Sequence, residues 1–345
     1  MTLSGVAMSA AVLPEPGQLR MEEVTVPEPA PDEVLIRTEA IGICSTDLMV
    51  YRGRYATPLP LIPGHECSGV VERIGSQVSG LHVGDRVVPE ASWGCGACQS
   101  CGQRDAASCP DRVSLGRTRD GTFAQFVSVP ARAVHLLPDN VSFQEGQALV
   151  TVACVLRALH RGSPEPGEKV AVFGPGISGL LLTQLAVHSG ASSVVVFGTR
   201  QLRLDLALSS GANGAVNVRD DDWSDVAQDF VGEQGFDLIF EASGSSDALL
   251  QSFQVVRTRG RIVAFSIDDG LVDDFPASKL YSKEVSLLGS RGGAGNYPLA
   301  IELLEDKRLK LDNLITHRLP LKEAERGFSL MERREEGVMR VVLCP

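Results

Sequence analysis

The stretch that decides the fold is VAVFGPGISGL, residues 170–180, in which an apolar strand pattern leads into a turn rich in glycine. Gly174, Gly176 and Gly179 have the G-x-G-x-x-G spacing and open a helical pattern. Glycines at these positions allow a tight turn, so that a pyrophosphate can approach the backbone and the N-terminus of the helix. The motif predicts a dinucleotide site, to which we also assign Ile177, between the second and third glycines.

Strand and helix patterns alternate around this motif. Helices are predicted near residues 178–189 and 200–209, and a turn-rich connector, RGSPEPGEK, occupies residues 161–169. The predicted strands are VAVFG (170–174), SVVVF (193–197), GAVNV (214–218), FDLIFE (236–241) and RIVAFS (261–266). Such alternation predicts an α/β domain, with a doubly wound parallel sheet wrapped by helices, over residues 161–290.

The first 160 residues have a different pattern, with short strands among many glycines and prolines. Examples are EVLIRTEAIGI (33–43), CSGVVERIG (67–75) and DRVVPE (85–90), which are typical of a mostly antiparallel, barrel-like β domain. Residues 291–345 contain a helix pattern and a closing strand pattern, HRLPLKEAERGFSLM and GVMRVVLCP. We expect this last segment to return to the first domain.

The segment VVFGTR, residues 195–200, indicates which dinucleotide is bound. An NAD site places an acidic residue here to accept hydrogen bonds from the ribose hydroxyls, whereas this chain has Gly198. Thr199, Arg200 and Arg203 offer a hydroxyl and two guanidinium groups that suit a 2′-phosphate. The segment predicts NADP, with NAD as the alternative, and replacing Gly198 by Asp with Arg200 by Ala should favour NAD.

Composition excludes several classes of protein. The chain has 345 residues, 43% of them hydrophobic, and a net charge of −11, which argues against nucleic acid or an anionic membrane as partner. The N-terminal sequence lacks the basic region of a signal peptide, and no apolar run reaches the length of a membrane span. We expect a cytoplasmic protein in which Asp220, Asp221 and Asp222 are solvated surface residues.

Four of the eight cysteines lie within CGACQSCGQRDAASC, in a C-x2-C-x2-C-x7-C spacing. They are Cys95, Cys98, Cys101 and Cys109. Four thiolates in one short segment are typical of a closed, structural zinc site, with an iron–sulfur cluster as the alternative. The spacing predicts a structural zinc lobe over about residues 93–112.

A second set of metal-binding residue types is more dispersed. GICSTDL contains Cys44, Thr46 and Asp47, and IPGHECSGVV contains His65 and Glu66. A single cysteine or histidine beside a strand is more often a packed residue than a metal ligand. These residues alone therefore leave both interpretations open.

The motifs together resemble the zinc-containing medium-chain dehydrogenases, in the branch of the polyol, sorbitol and threonine dehydrogenases. The resemblance spans nearly the whole chain and rests on GICSTDL, PGHECSGVVERIGSQVSGLHVGDRVV, the four-cysteine lobe, GPGISG and NLITHRLPLKEAERGF, in the family's order. It implies a GroES-like catalytic domain built from both chain ends, with a Rossmann domain between them. It also implies a homodimer or homotetramer.

The same resemblance assigns roles to individual residues. It implies that Cys44 and His65 bind a catalytic zinc, and that Glu66 is a further ligand or contacts one. Asp47 would orient His65, as a carboxylate commonly does for a ligating histidine. Thr46 would occupy the position of the hydroxyl that relays a proton.

The chain departs from the family's pattern at three places. Val150, which cannot bind a metal, stands where the third zinc ligand is expected. Three alternatives follow: Glu66 is a direct ligand, Cys154 supplies the third ligand, or the catalytic metal is loosely held or absent. Met49 replaces a histidine that passes the proton to solvent, which indicates exit through water or a relay group on the substrate. Gly292 and Gly293, in GSRGGAGNYP (289–298), replace larger residues and predict room for a bulkier substrate.

The expected function is hydride transfer between NADP(H) and a secondary alcohol or ketone of a polyol, sugar or (amino)cyclitol, with one catalytic and one structural zinc. Gly289, at the start of GSRGGAGNYP, is assigned to the cofactor site. The alternatives are a zinc-free quinone or enoyl reductase of the same superfamily, or a non-catalytic NADP-binding protein.

Overall fold

The computed structural model of the protein describes residues 5–103, 105–220, 222–266, 272–333 and 337–345. Residues 1–4 of the N-terminal segment and Asp221 of the predicted acidic surface lie outside these ranges. The chain forms two compact units, one of Met1–Val150 with Ala294–Pro345 and the other of Thr151–Gly293. Within the described ranges, no helix has both the length and the apolar character needed to cross a membrane.

The first part of the chain forms short strands interrupted by brief helices. In chain order these are β1 (Ala7–Glu15), β2 (Gln18–Thr25), β3 (Glu33–Gly42), α1 (Ser45–Tyr51), β4 (Cys67–Ile74), β5 (Arg86–Pro89), β6 (Ser92–Trp93), α2 (Gln99–Gly102), β7 (Val113–Ser114), β8 (Phe126–Pro130), β9 (Val134–Leu136) and α3 (Phe143–Gly146).

Helices and strands alternate in the middle of the chain, as the sequence predicts. They are α4 (Leu149–Gly162), β10 (Lys169–Phe173), α5 (Ile177–His188), β11 (Ser193–Gly198), α6 (Gln201–Ser209), β12 (Gly214–Asn217), α7 (Trp223–Val231), β13 (Phe236–Glu241), α8 (Ser246–Val255), β14 (Val256–Ala264), α9 (Ala277–Ser282) and β15 (Ser286–Gly289).

The six strands β10–β15 form one sheet in which every neighbouring pair is parallel. Their order is β12-β11-β10-β13-β14-β15, so the direction of winding reverses between β10 and β13. The central strands β10 and β11 are nearly continuous apolar runs, as is typical of parallel strands that are covered by helices on both faces. Dinucleotides bind at the carboxyl ends of the strands where the winding reverses, which places the glycine motif at the expected edge.

The last part of the chain adds two helices and two strands to the first unit. They are α10 (Tyr297–Glu305), β16 (His317–Pro320), α11 (Ala324–Arg333) and β17 (Val341–Cys344). The larger sheet of this unit has the order β16-β17-β3-β4-β5-β9, with β8 also paired to β3. All of its pairs are antiparallel except β16 with β17. The predicted mostly-β fold of this unit is confirmed, and the last segment contains the helix α11 and the strand β17.

Strand β3 organises this first unit. It pairs with β4 and β8 and, through Ile41 and Gly42, with the closing strand β17. Residues such as Val34 and Ile36 are fully buried in the core that the sheet shares with Phe123 and Phe328. The segment that follows β3 therefore starts from a rigid position beside the C-terminal strand.

Candidate functional site

The pairing of β3 with β4 brings the two dispersed motifs together. Cys44 follows the end of β3, and His65 lies just before the start of β4. Ile41 of β3 is opposite Cys67 of β4, and the N–H of Gly42 donates a hydrogen bond to the carbonyl of Glu66. Residues that are far apart in sequence are thus fixed next to each other by a strand ladder.

Cys44, His65 and Glu66 form a compact group whose possible ligand atoms all lie within 4.8 Å of one another. Glu66 is 1% exposed and His65 8% exposed. Oε1 of Glu66 lies 4.0 Å from Nε2 of His65. A thiolate, an imidazole and a carboxylate are the donor types that zinc takes in proteins, so the residues present fit this metal.

Asp47 contacts two of the three residues of this group, His65 and Cys44. One carboxylate oxygen lies 2.9 Å from Nδ1 of His65, and the other accepts a hydrogen bond of 2.8 Å from the N–H of Cys44. Because Asp47 occupies Nδ1, the opposite ring nitrogen, Nε2, faces the group of ligand atoms. This is the arrangement that fixes the orientation and tautomer of a metal-binding histidine.

The charges of the group are strongly coupled. Burial would lower the pKa of His65, but the charge of Asp47 and the hydrogen bond to it raise that pKa to about 10. Burial would raise the pKa of Cys44, but the hydrogen bond and charge of His65 lower it to about 7. A zinc ion would take the place of the proton on His65 and bind the thiolate of Cys44, because metal ligands must be deprotonated.

A buried arginine from the C-terminal segment completes this site, and sequence reasoning missed it. Arg340 is 2% exposed, forms an ion pair with Oε2 of Glu66, and donates a hydrogen bond of 2.9 Å to Gln147. A Cβ on Gly42 would lie 2.6 Å from Nη2 of Arg340 and 2.8 Å from Oε2 of Glu66, so only glycine fits there. Arg340 gave no local signal, because only the pairing of β17 with β3 brings it near Glu66.

Met49 and Val150 are two of the positions at which the chain departs from the family's pattern. Thr46 and Met49 are half-buried residues of α1, and Thr46 is adjacent to Asp47. Val150 is 4% exposed and has no atom that binds a metal. In the described part of the chain, the metal-binding group at this site takes Glu66 as its third member.

The four cysteines of the lobe also form one group, with all sulfur atoms within 4.8 Å of one another. Sγ of Cys98 lies 3.5 Å from Sγ of Cys101, and the N–H of Cys95 donates to Sγ of Cys109 over 3.3 Å. Hydrogen bonds from the N–H groups of Ala97 and Cys98 lower the pKa of Cys95 to about 7. The four thiols are free, so they fit a closed tetrahedral zinc site.

The glycine motif has the close contacts that its sequence implies. Gly174 has φ of +95°, and a Cβ there would lie 2.6 Å from the backbone of Ser243. A Cβ on Gly179 would collide with the carbonyl oxygen of Gly174. Gly176 immediately precedes α5, and Ile177 is the first residue of that helix. The turn therefore presents backbone N–H groups and a helix N-terminus at the reversal point of the sheet.

The residues assigned to the ribose phosphate lie one strand away. Gly198 is the buried last residue of β11, Thr199 is exposed, and Arg200 and Arg203 are half-buried at the start of α6. Arg219 is exposed and follows β12, whose last residue, Asn217, is paired with Gly198 of β11.

Gly289 ends β15, three strands from β10 at the same carboxyl edge of the sheet. At the usual spacing between strands, this is about 14 Å from the glycine motif. An extended dinucleotide spans such a distance along the edge.

In the segment GSRGGAGNYP, the structure corrects the expectation for Gly293, one of the two glycines that predicted room for substrate. A Cβ on Gly293 would lie 2.7 Å from Cβ of Ala153 and 2.9 Å from the N atom of Cys154. The space beside this glycine is filled by α4, so Gly293 allows close packing and adds no room for substrate.

The sequence motifs did not indicate Glu241, a buried carboxylate at the carboxyl edge of the parallel sheet. Glu241 ends β13, next to β10, and is 1% exposed. It accepts hydrogen bonds from Ser243, through the N–H and the hydroxyl, and from the N–H of Gly244. Burial raises the pKa of Glu241 to about 7, although these hydrogen bonds oppose the shift. Glu241 thereby holds the turn that packs against Gly174.

Comparison with known proteins identifies the class. The alcohol dehydrogenase GroES-like domain matches residues 30–139, and the zinc-binding dehydrogenase domain matches residues 178–306. A D-arabitol-phosphate dehydrogenase from Enterococcus avium is 31% identical and covers 98% of this chain and 97% of its own length. A sorbitol dehydrogenase from Halalkalibacterium halodurans is 30% identical, with coverage of 95% and 96%.

Solved structures agree with this class. A zinc-binding dehydrogenase from Sinorhizobium meliloti bound to NADP has a TM-score of 0.92 at 28% identity, covering 98% of this chain and 99% of that one. An Escherichia coli alcohol dehydrogenase complexed with NADH has a TM-score of 0.92 at 27% identity, with coverage of 99% and 100%. The chain therefore belongs to the zinc-binding, medium-chain alcohol dehydrogenase family. It is a zinc-binding dehydrogenase of the polyol dehydrogenase type.

The role of Asp47 can be tested by Asp47→Asn. The amide keeps the size of the side chain but removes the charge that orients His65, so zinc affinity and kcat/KM are expected to fall by about 10- to 100-fold. Metal-competition titration and steady-state kinetics on the full chain measure these two quantities.

Asp85→Asn is a matched control for this substitution. Asp85 also accepts a backbone N–H three residues earlier, from His82, and faces the ring of His82 at 3.6 Å, but His82 is exposed. Equal losses in both variants, or no loss in Asp47→Asn, would contradict the positioning role.

The substitution Glu241→Gln tests whether burial raises the pKa of the Glu241 carboxyl. The pKa of Glu241 is raised from 4.5 to about 7 in the folded state, so its favourable contribution is complete below pH 4.5 and is lost as the pH rises through 7. Glutamine remains neutral, so the variant should exceed wild type in unfolding free energy by at most about 3 kcal/mol at pH 8. Urea titrations at pH 5 and pH 8 measure the unfolding free energies of both proteins. A difference between variant and wild type that does not increase from pH 5 to pH 8 would contradict the raised pKa of Glu241.

Proposed function

We propose that the protein is a zinc-dependent oxidoreductase that transfers a hydride between NADP(H) and a secondary alcohol or ketone of a polyol, sugar or (amino)cyclitol. The observation that carries this proposal is the buried group of Cys44, His65 and Glu66, whose ligand atoms lie within 4.8 Å of one another. Membership of the polyol dehydrogenase family supports the class of substrate.

The residues around the proposed catalytic zinc have separate tasks. Cys44 and His65 would hold the ion, Glu66 would supply the third protein ligand, and Asp47 keeps Nε2 of His65 directed toward it. Zinc, when bound, supplies a Lewis acid that polarises the substrate oxygen and lowers the pKa of the alcohol. Arg340 forms a buried ion pair with Glu66, so that its positive charge compensates a carboxylate at this buried position.

Proton transfer would begin at Thr46. Thr46 is half-buried and precedes Asp47 in α1, and its hydroxyl can both accept and donate a hydrogen bond, as a proton relay requires. Met49 offers no proton-carrying group, so the proton would leave through water or through a group on the substrate. Hydride transfer itself is the chemistry of the nicotinamide cofactor.

The cofactor preference is proposed from the end of β11. Gly198 leaves no acidic side chain to repel a 2′-phosphate, and Thr199, Arg200 and Arg203 supply donors at the start of α6. Arginines at a helix N-terminus are unfavourable unless an anion is bound there, which supports NADP. The second proposed zinc is held by the four-cysteine lobe and has a structural role.

The proposal extends to the location and the assembly of the protein. The acidic, disulfide-free composition supports a cytoplasmic protein, and the family resemblance supports a homodimer or homotetramer.

A substrate panel tests the proposal. Polyols, sugars, aminocyclitols and polyol phosphates are offered with NADP or NAD, and reduced cofactor is read by absorbance. We expect turnover of at least one secondary alcohol, with kcat/KM for NADP above that for NAD. Arg200→Ala with Arg203→Ala should lower the NADP preference by about tenfold or more, because hydrogen bonds between charged groups are lost.

Arg259→Ala is the control for the change in charge. Arg259 is exposed and pairs with Glu284, and it lies near the amino end of β14, at the opposite edge of the same sheet. Equal or better use of NAD by wild type, or an equal effect of Arg259→Ala, contradicts the proposed cofactor site.

A further inference from the structure

The end of β11 and the glycine motif are in direct contact at one point. A Cβ built on Gly198 would lie 2.6 Å from Cγ and 2.7 Å from Cδ of Pro175. The same Cβ would lie 3.2 Å from Cδ2 of Leu204 in α6. Gly198 is buried and its φ is not positive, so the backbone would accept another residue and only this packing prevents it.

Pro175 cannot easily move aside. Its Cδ is bonded to its own backbone N, and its ring fixes φ, so the ring has no rotamer that frees the space. Gly174, before it, packs against the backbone of Ser243 and donates a hydrogen bond of 2.8 Å to the carbonyl of Phe197 in β11. Gly176, after it, leads directly into α5.

The position beside Pro175 is the one at which an NAD-dependent site carries its acidic residue. We propose that Pro175 is a specificity-determining residue: its ring fills the space that an acidic side chain at position 198 would need, and so fixes the site for the 2′-phosphate dinucleotide. This inference rests on the proposed NADP preference and adds a cause for it. Gly198 and Pro175 act as a pair, and neither alone sets the choice of cofactor.

One consequence concerns the conversion of the site to NAD. The sequence alone predicts that Gly198→Asp with Arg200→Ala should favour NAD, but the structure changes this expectation, because the new side chain would collide with the ring of Pro175 and displace the glycine turn. The acid becomes compatible with the fold only when Pro175 is also replaced by a smaller residue.

The first experiment tests the packing of Gly198 against Pro175 and does not depend on which dinucleotide the protein prefers. Dissociation constants for NADPH and NADH are measured on the full chain from cofactor fluorescence, which requires no turnover. Gly198→Ala should weaken both by about tenfold or more, since overpacking a buried position displaces the turn. Pro175→Ala with Gly198→Ala should restore wild-type binding within about threefold, by the same reasoning.

Pro166→Ala combined with Gly198→Ala is the control for removing a proline ring, because Pro166 is exposed and precedes β10, whereas the glycine motif follows that strand; this variant should not recover binding. If Gly198→Ala does not fold, recovery of folded protein and of the melting temperature on adding Pro175→Ala is the same rescue. Binding by Gly198→Ala equal to wild type, or failure of Pro175→Ala to rescue either property, overturns the proposal.

The second experiment tests specificity. Gly198→Asp alone should bind both dinucleotides weakly, whereas Pro175→Ala with Gly198→Asp should shift the ratio of the two dissociation constants toward NADH by at least about tenfold. No shift in the double variant overturns the proposal while the proposed function stands. Wild-type protein that binds NADH as tightly as NADPH overturns the proposed cofactor preference itself, and with it the role of Pro175 as its cause.

Discussion

The carboxylate of Asp47 is the interaction on which the candidate metal site depends. It receives the N–H of Cys44 at the start of α1 and lies 2.9 Å from Nδ1 of His65 at the start of β4. A single buried carboxylate thus fixes two potential ligands that are 21 positions apart in the chain. Because the ladder of β3 with β4 already holds these segments together, Asp47 only has to set their orientation.

A second constraint links this site to the end of the chain. Strand β17 pairs with β3 at Gly42, and so Arg340 reaches the buried carboxylate of Glu66. A buried ion pair is costly to break, since removing one partner leaves the other charge without compensation. Gly42 is required because any side chain there would enter the space of this pair. The return of residues 294–345 to the first unit therefore has a direct effect on the chemistry of the site.

Local patterns predicted the parallel sheet, the glycine turn and the four-cysteine group, because spacing within one segment determines each of them. Arg340, Glu241 and Pro175 were not found, since their roles depend on which strands are neighbours. The sequence was also misleading at Gly293, for the same reason. Its missing side chain indicated room for substrate, but α4 fills that space. The direct ligand role of Glu66 could be proposed from sequence, but only the structure brings its Oε1 to 4.0 Å from His65.

Zinc analysis of the purified full chain is the sharpest test of the proposed catalytic metal site. We expect two zinc ions per chain in wild type and one in Cys44→Ser, which loses a ligand of that site. Cys344→Ser is the control, because this half-buried cysteine belongs to neither metal-binding group in the described part of the chain, and it should keep both ions. One zinc ion in wild type, unchanged in Cys44→Ser, would show that the group of Cys44, His65 and Glu66 holds no zinc.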